Sequence, residues 1–120
     1  MLDIKFIREH RDIVSRYVKA HVEAVHTIWT DKEATVRVLG KFMGRGVDRH
    51  ILEKSRENIL TEALLPKKQY PTLEGIQTAI NDIANRDPRA KTGKPEQFVD
   101  FTFIKELDQS GYINSLYKTK

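Results

Sequence analysis

The sequence predicts an all-α fold of about five helices, and three observations carry that prediction. Apolar residues recur at three- and four-residue intervals along most of the chain, the spacing that lines one face of an α-helix. Side chains able to cap helices stand before the apolar runs, and Gly or Pro stands after several of them. No segment alternates apolar and polar residues for longer than a few positions, so no strand signal competes. Composition agrees: 120 residues, 39% apolar and 32% charged, with six Gly and four Pro, describe one ordinary globular unit, without low-complexity tracts or fixed-period repeats.

Asp3 is placed to cap a short turn carrying Phe6 and Ile7, and His10-Arg11-Asp12 then opens the longest helical pattern, near 11–29. Ile13, Tyr17, Ala20, Ala24 and Ile28 form one row of that helix and Val14, Val18, Val25 and Trp29 another, a wide apolar face that must be well covered. Thr30 and Glu33 have the spacing of a capping box, so a second helix is expected near 31–43, carrying Val36, Leu39, Phe42 and Met43 to a stop at Gly44-Arg45-Gly46. Asp48 caps a third, near 48–65, whose inner face holds Ile51, Leu52, Ser55, Ile59, Ala63 and Leu64 until Pro66 ends it. After a loop over 66–71, Thr72 starts a fourth helix, near 72–85, with Leu73, Ile76, Ile80, Ile83 and Ala84 on one face.

Residues 86–97 read as a loop. Arg86, Arg89, Lys91 and Lys94 make it the densest basic run, but Asp87, Pro88, Gly93 and Pro95 lie among them, which favours a solvated loop over an anion site. The last helical element is expected over 100–117. The Asp100 carboxylate can accept from the N–H of Thr102 or Phe103, Ile104 and Leu107 carry the core stripe, and Gly111 ends the run. Tyr112, Ile113, Leu116 and Tyr117 then form a second short apolar face before a basic tail.

The chemistry-bearing residues do not converge. Without cysteine there is no disulfide or thiolate chemistry. His21 and His26 lie five residues apart, well over a quarter-turn from sharing a helix face, and His10 and His50 read as surface or capping residues, so no metal is expected. The carboxylate pairs Glu53/Glu57 and Glu106/Asp108 stand beside Lys54, Arg56 and Lys105 and read as solvated helix faces, and no Ser is flanked by a base and an orienting group. No catalytic residue, cofactor or enzymatic activity is expected. The aromatics Trp29, Phe42, Phe98, Phe101, Phe103, Tyr112 and Tyr117 read as core, and Tyr70, in the loop beside Pro71, as exposed. Twenty-one Lys and Arg against seventeen Asp and Glu give a formal charge of +4 that is not strongly clustered, so nucleic acid is not the expected partner. No run approaches the ~20 apolar residues of a membrane span, and Met1-Leu2-Asp3-Ile4-Lys5 lacks the apolar stretch of a signal peptide.

Phe98-Val99-Asp100, Phe103-Ile104, Leu107 and Gly111-Tyr112-Ile113 together resemble the C-terminal end of periplasmic solute-binding proteins of ABC importers, in the nitrate, sulfonate, taurine and pyrimidine-precursor group. Phe6-Ile7, Val18-Lys19-Ala20 and Glu23-Ala24 are similar to the helix that in this family follows the last crossover into the first lobe, although His10-Arg11-Asp12 replaces the Asn-Pro-Glu common there. The resemblance covers nearly all of the chain and is strongest in its tail. It implies the C-terminal helical portion of a two-lobed α/β periplasmic-binding-protein fold, a periplasmic or extracytoplasmic location for the full-length protein, and a small-molecule solute and an ABC permease as partners. It also implies that this segment supports the first lobe rather than lining the pocket, so ligand-binding residues are unknown. Since such proteins carry a signal peptide, the chain reads as part of a longer one. Its apolar faces would then be exposed in isolation and favour a homodimer or helix exchange. The alternative is a free-standing helical module that binds a protein or nucleic acid. Met1-Leu2-Asp3-Ile4-Lys5-Phe6-Ile7-Arg8-Glu9 is also similar to the opening of seryl-tRNA synthetase, but breaks at Thr30, Gly44, Pro66 and Pro71 leave no room for that enzyme's long coiled-coil arm.

Overall fold

A computed structural model describes residues 2–118, and among them all regular structure is helical. Helices α1 (Ile4–Glu9), α2 (Arg11–Thr30), α3 (Lys32–Met43), α4 (Arg49–Ile59), α5 (Leu73–Ala84), α6 (Thr102–Gln109) and α7 (Tyr112–Leu116) follow in order. Four of the starts are held by the side chains the sequence points to. Asp3 accepts from the N–H of Lys5 at 2.7 Å, Asp48 from His50 at 2.7 Å, Thr72 Oγ1 from Gly75 at 3.1 Å and Asp100 from Thr102 at 2.9 Å. Each satisfies an N–H that the helix itself leaves unpaired.

The other boundaries move for identifiable reasons. Thr30 stays inside α2 because its hydroxyl donates back to the His26 carbonyl at 2.8 Å, and Asp31, one residue on, caps α3 through the Ala34 N–H at 2.9 Å. The expected Thr30/Glu33 capping box is absent. α4 ends at Ile59 rather than continuing to 65, and a separate turn at Thr61 lets the Leu65 carbonyl accept from Trp29 Nε1 at 3.1 Å. The 100–117 element is two helices, because Gly111 takes a φ of 77°, a left-handed conformation that redirects the chain and that other residues adopt only at a cost. The 86–97 loop holds two 3₁₀ turns, Pro88–Thr92 and Pro95–Phe98, each begun by a proline.

α2 is the spine. α1, α3, α6 and α7 all pack on it, α4 packs on α3, and the main partners of α5 are the two 3₁₀ turns that follow it. The innermost cluster is Val22, Ile104 and Ile113, surrounded by Val18, Tyr70, Leu107, Leu116 and Tyr117. At the far end of α2 a polar clamp replaces apolar packing. Arg56 of α4 is buried, and its Nε and Nη2 donate to the carbonyls of Ile28 and Trp29 at 2.8 and 2.9 Å. These carbonyls belong to the last turn of α2, where backbone acceptors lack partners and the helix dipole favours a cation. Arg56 is therefore not part of a solvated face. It lies in helical register with Leu52 and Ile59, a position from which its inward direction was readable. No helix among the described residues is long and apolar enough to cross a membrane.

Candidate functional site

The face of α2 that the sequence presents as needing cover divides in two. Val14, Val22 and Val25 are buried by α6, α7 and α3, whereas Ile13 is 45% and Tyr17 68% exposed, with Ala20 and Ala24 exposed beside them. At 100° per residue the two rows are centred about 120° apart. One side of the helix is sealed by this chain and the other is open. Several further residues expected inside are outside as well: Phe42 is 87% and Phe98 49% exposed, and Ile51, Leu64 and Ile83 are exposed. The reverse holds for Tyr70, which is half-buried and donates its hydroxyl to Asp108 Oδ2 at 2.8 Å.

The open side is grooved. Tyr17, Val18, His21, Phe103 and Ile104 line a depression of about 280 Å³ that reaches Pro71 and Asp100. Asp100 also borders a larger one of about 540 Å³, between Leu2, Ile4, Ile7 and Arg11 on one side and Phe98 and Val99 on the other. A third, of about 310 Å³, lies between Glu62, Lys67, Lys68 and the α7 residues Ile113 and Asn114 with Tyr117. There the Tyr117 hydroxyl is buried without a hydrogen-bond partner among the described residues, and burial raises its pKa. Lys67 Nζ lies 4.8 Å from the Trp29 ring centre and 5.2 Å from that of Tyr117, so the chain's own cation stands against the aromatic rings on this side.

The titratable groups are bound up in pairs. Arg49 holds Glu53 at 2.9 Å, Lys54 holds Glu57 at 2.9 Å, and Lys68 and Tyr70 hold Asp108 at 2.7 and 2.8 Å. The charge-assisted hydrogen bonds of these partners keep all three carboxyls below the usual range, ionised rather than poised to exchange a proton. Glu106 faces Arg11 at 3.8 Å. His10 packs on Phe6, His26 meets the Tyr117 ring edge-on, His21 lines the groove beside Tyr17, and His50 is exposed at the start of α4. Among the described residues no three His, Asp or Glu side chains are grouped to hold a metal ion. In the basic loop, Arg86 pairs with Asp82 at 2.8 Å and Arg89 with Asp87 at 2.6 Å, so half of its cations are neutralised locally.

Summed over the chain, the open faces are large. A compact monomer of this mass exposes about 6,700 Å², whereas this chain exposes 9153 Å². Its radius of gyration is 17.2 Å, against about 14 Å for a compact domain of the same length. The excess of roughly 2,500 Å² is about three times what one partner contributes to a standard stable interface. The excess belongs to an extended molecule, at whose surface lies the apolar row of Ile13, Tyr17, Ala20 and Ala24. Comparisons with protein-family models, with curated proteins and with solved structures find no match.

Proposed function

We propose that this chain is the C-terminal helical portion of a solute-binding protein of an ABC importer, seated by the open row of α2 against a sheet-bearing lobe. One observation carries the reading: α2 is apolar on two sides, and this chain covers only one. A helix apolar over more than half of its circumference belongs in an interior, and in the layered architectures of larger domains such a helix lies between a sheet and an outer layer of helices. The resemblance in Phe98-Val99-Asp100, Phe103-Ile104, Leu107 and Gly111-Tyr112-Ile113 supplies the kind of lobe. On this reading the segment braces the lobe and does not touch solute. Its partners are then the remainder of the binding protein and, through it, a small molecule and a permease on the extracytoplasmic side of a membrane.

The test has two arms. The reading frame is extended upstream of Met1, and the longer product is titrated calorimetrically with nitrate, aliphatic sulfonates and aminopyrimidines. Binding of one of these is the expected outcome, and an extended frame that encodes no sheet-forming region and binds none of them refutes the reading. The 120-residue chain is examined alone by sedimentation velocity. Concentration-dependent association that disappears on replacing Ile13 and Tyr17 by Ser is expected. A non-associating monomer with a sharp unfolding transition would instead favour a free-standing helical module.

A further inference from the structure

We propose that the outer face of α3 and the tip of the α3–α4 hairpin form a docking surface for an anionic lipid bilayer. Two rows run side by side there. Val38 and Phe42 lie one turn apart, 48% and 87% exposed, and Met43 at the helix end is 52% exposed. Arg37 and Lys41 form the neighbouring row, one turn apart and exposed, and Arg45 follows in the turn. Of the carboxylates of the hairpin, Glu33 pairs with Arg49, Glu53 with Arg49 and Lys32, and Glu57 with Lys54, while Asp48 accepts from the His50 N–H. Arg37, Lys41 and Arg45 form no ion pair among the described residues and stand beside an apolar ridge.

Charge decides between a bilayer and a protein partner. Phe42 is the most exposed large hydrophobic side chain in the described residues, and the row beside it is basic throughout. Gly44 and Gly46, with φ of 91° and 98°, have open space on every side where a Cβ would stand. An exposed aromatic ring beside three cations matches the apolar boundary and the phosphates of an anionic bilayer. The headgroup–acyl boundary would take Phe42, Met43 and Val38, while the three cations remain with the lipid phosphates. The surface is separate from the open row of α2, and this inference does not depend on the function proposed above.

The test is co-sedimentation of the 120-residue chain with vesicles of phosphatidylcholine containing about one-third phosphatidylglycerol, compared with phosphatidylcholine alone. Binding to the anionic vesicles is expected. Phe42→Ser should weaken it about tenfold through lost apolar insertion. K41E/R45E should weaken it at least tenfold, from about fivefold per charge near such a surface. Far-UV circular dichroism should show unchanged helix content in both variants, since the three positions are solvent-exposed. I13S/Y17S, which alters the α2 row alone, should bind as the parent does. Four outcomes overturn the proposal: no vesicle binding by the parent, parent-like binding by Phe42→Ser, a loss as large in I13S/Y17S, or retention on an immobilised acidic protein with none on vesicles.

Discussion

Replacing Arg56 by Met should cost about 3 kcal/mol of unfolding free energy, because two charge-assisted hydrogen bonds of about 1.5–3 kcal/mol each are lost, partly relieved by water reaching the helix end. The guanidinium donates to the Ile28 and Trp29 carbonyls at 2.8 and 2.9 Å, at the end of the chain's longest helix. Met preserves most of the aliphatic stem, so the loss isolates the hydrogen bonds from packing. For a chain of this length the corresponding fall in Tm is about 10 °C. Arg56→Lys keeps the charge, but a single ammonium does not reproduce the planar fork that spans two carbonyls, so its loss should be intermediate. The assay is urea unfolding followed by circular dichroism at one fixed protein concentration, since self-association would otherwise enter the apparent stability. Stability of Arg56→Met within about 0.5 kcal/mol of the parent, the range of an ordinary surface substitution, would refute the clamp.

Three further outcomes are expected. I13S/Y17S should abolish association in sedimentation velocity, and its unfolding midpoint should lose the dependence on protein concentration that association gives the parent. Asp108, held below its ordinary pKa first by Lys68 and then by Tyr70, contributes stability that is present above the unfolded value near 3.9 and is lost as pH falls through the folded value. Stability should thus fall in acid, and Asp108→Asn should flatten that fall in urea titrations run at successive pH values. Gly111→Ala should cost about 1 kcal/mol or more in urea unfolding, because Ala must adopt the φ of 77° that turns α6 into α7, and Gly111→Asn should cost less in the same assay.

Local chemistry was the legible part of this fold. Asp3, Asp48 and Thr72 cap their helices, and Asp100 accepts the first N–H of α6 from one position outside its N-cap Phe101, because each needs only an N–H two or three residues away, and sequence contains that information. Where the prediction slipped, a tertiary partner or an equally good local alternative intervened. Thr30 and Asp31 could each have started α3, and the Thr30 bond to His26 settled the choice. The segment beyond α4 is held by Trp29 of α2, which donates to the Leu65 carbonyl, a partner that local sequence does not contain. Charge alone places Arg56 on a solvated face, although its register with Leu52 points inward. A loop position makes Tyr70 look exposed, and an aspartate thirty-eight residues away accepts its hydroxyl. The candidate site was less legible still. Periodicity identifies Phe42 and Tyr17 as apolar members of helices, yet it carries no information on whether anything covers them.

That limit explains the most consequential difference, in α2. Hydrophobic periodicity measures the width of an apolar arc, and the width here exceeds what one neighbouring layer covers. The sequence therefore implied cover on both rows, while the chain supplies it only where α3, α6 and α7 meet Val14, Val22 and Val25. If the row of Ile13, Tyr17, Ala20 and Ala24 were meant for water, polar residues there would cost the fold nothing and would remove the risk of association. Its two alanines lie one turn apart and keep the row low there, while Tyr17 one turn before Ala20 stands out with its hydroxyl at the edge of the depression on this side. The same reasoning separates this row from the α3 tip, where the exposed apolar residues Val38, Phe42 and Met43 stand beside the cations Arg37, Lys41 and Arg45.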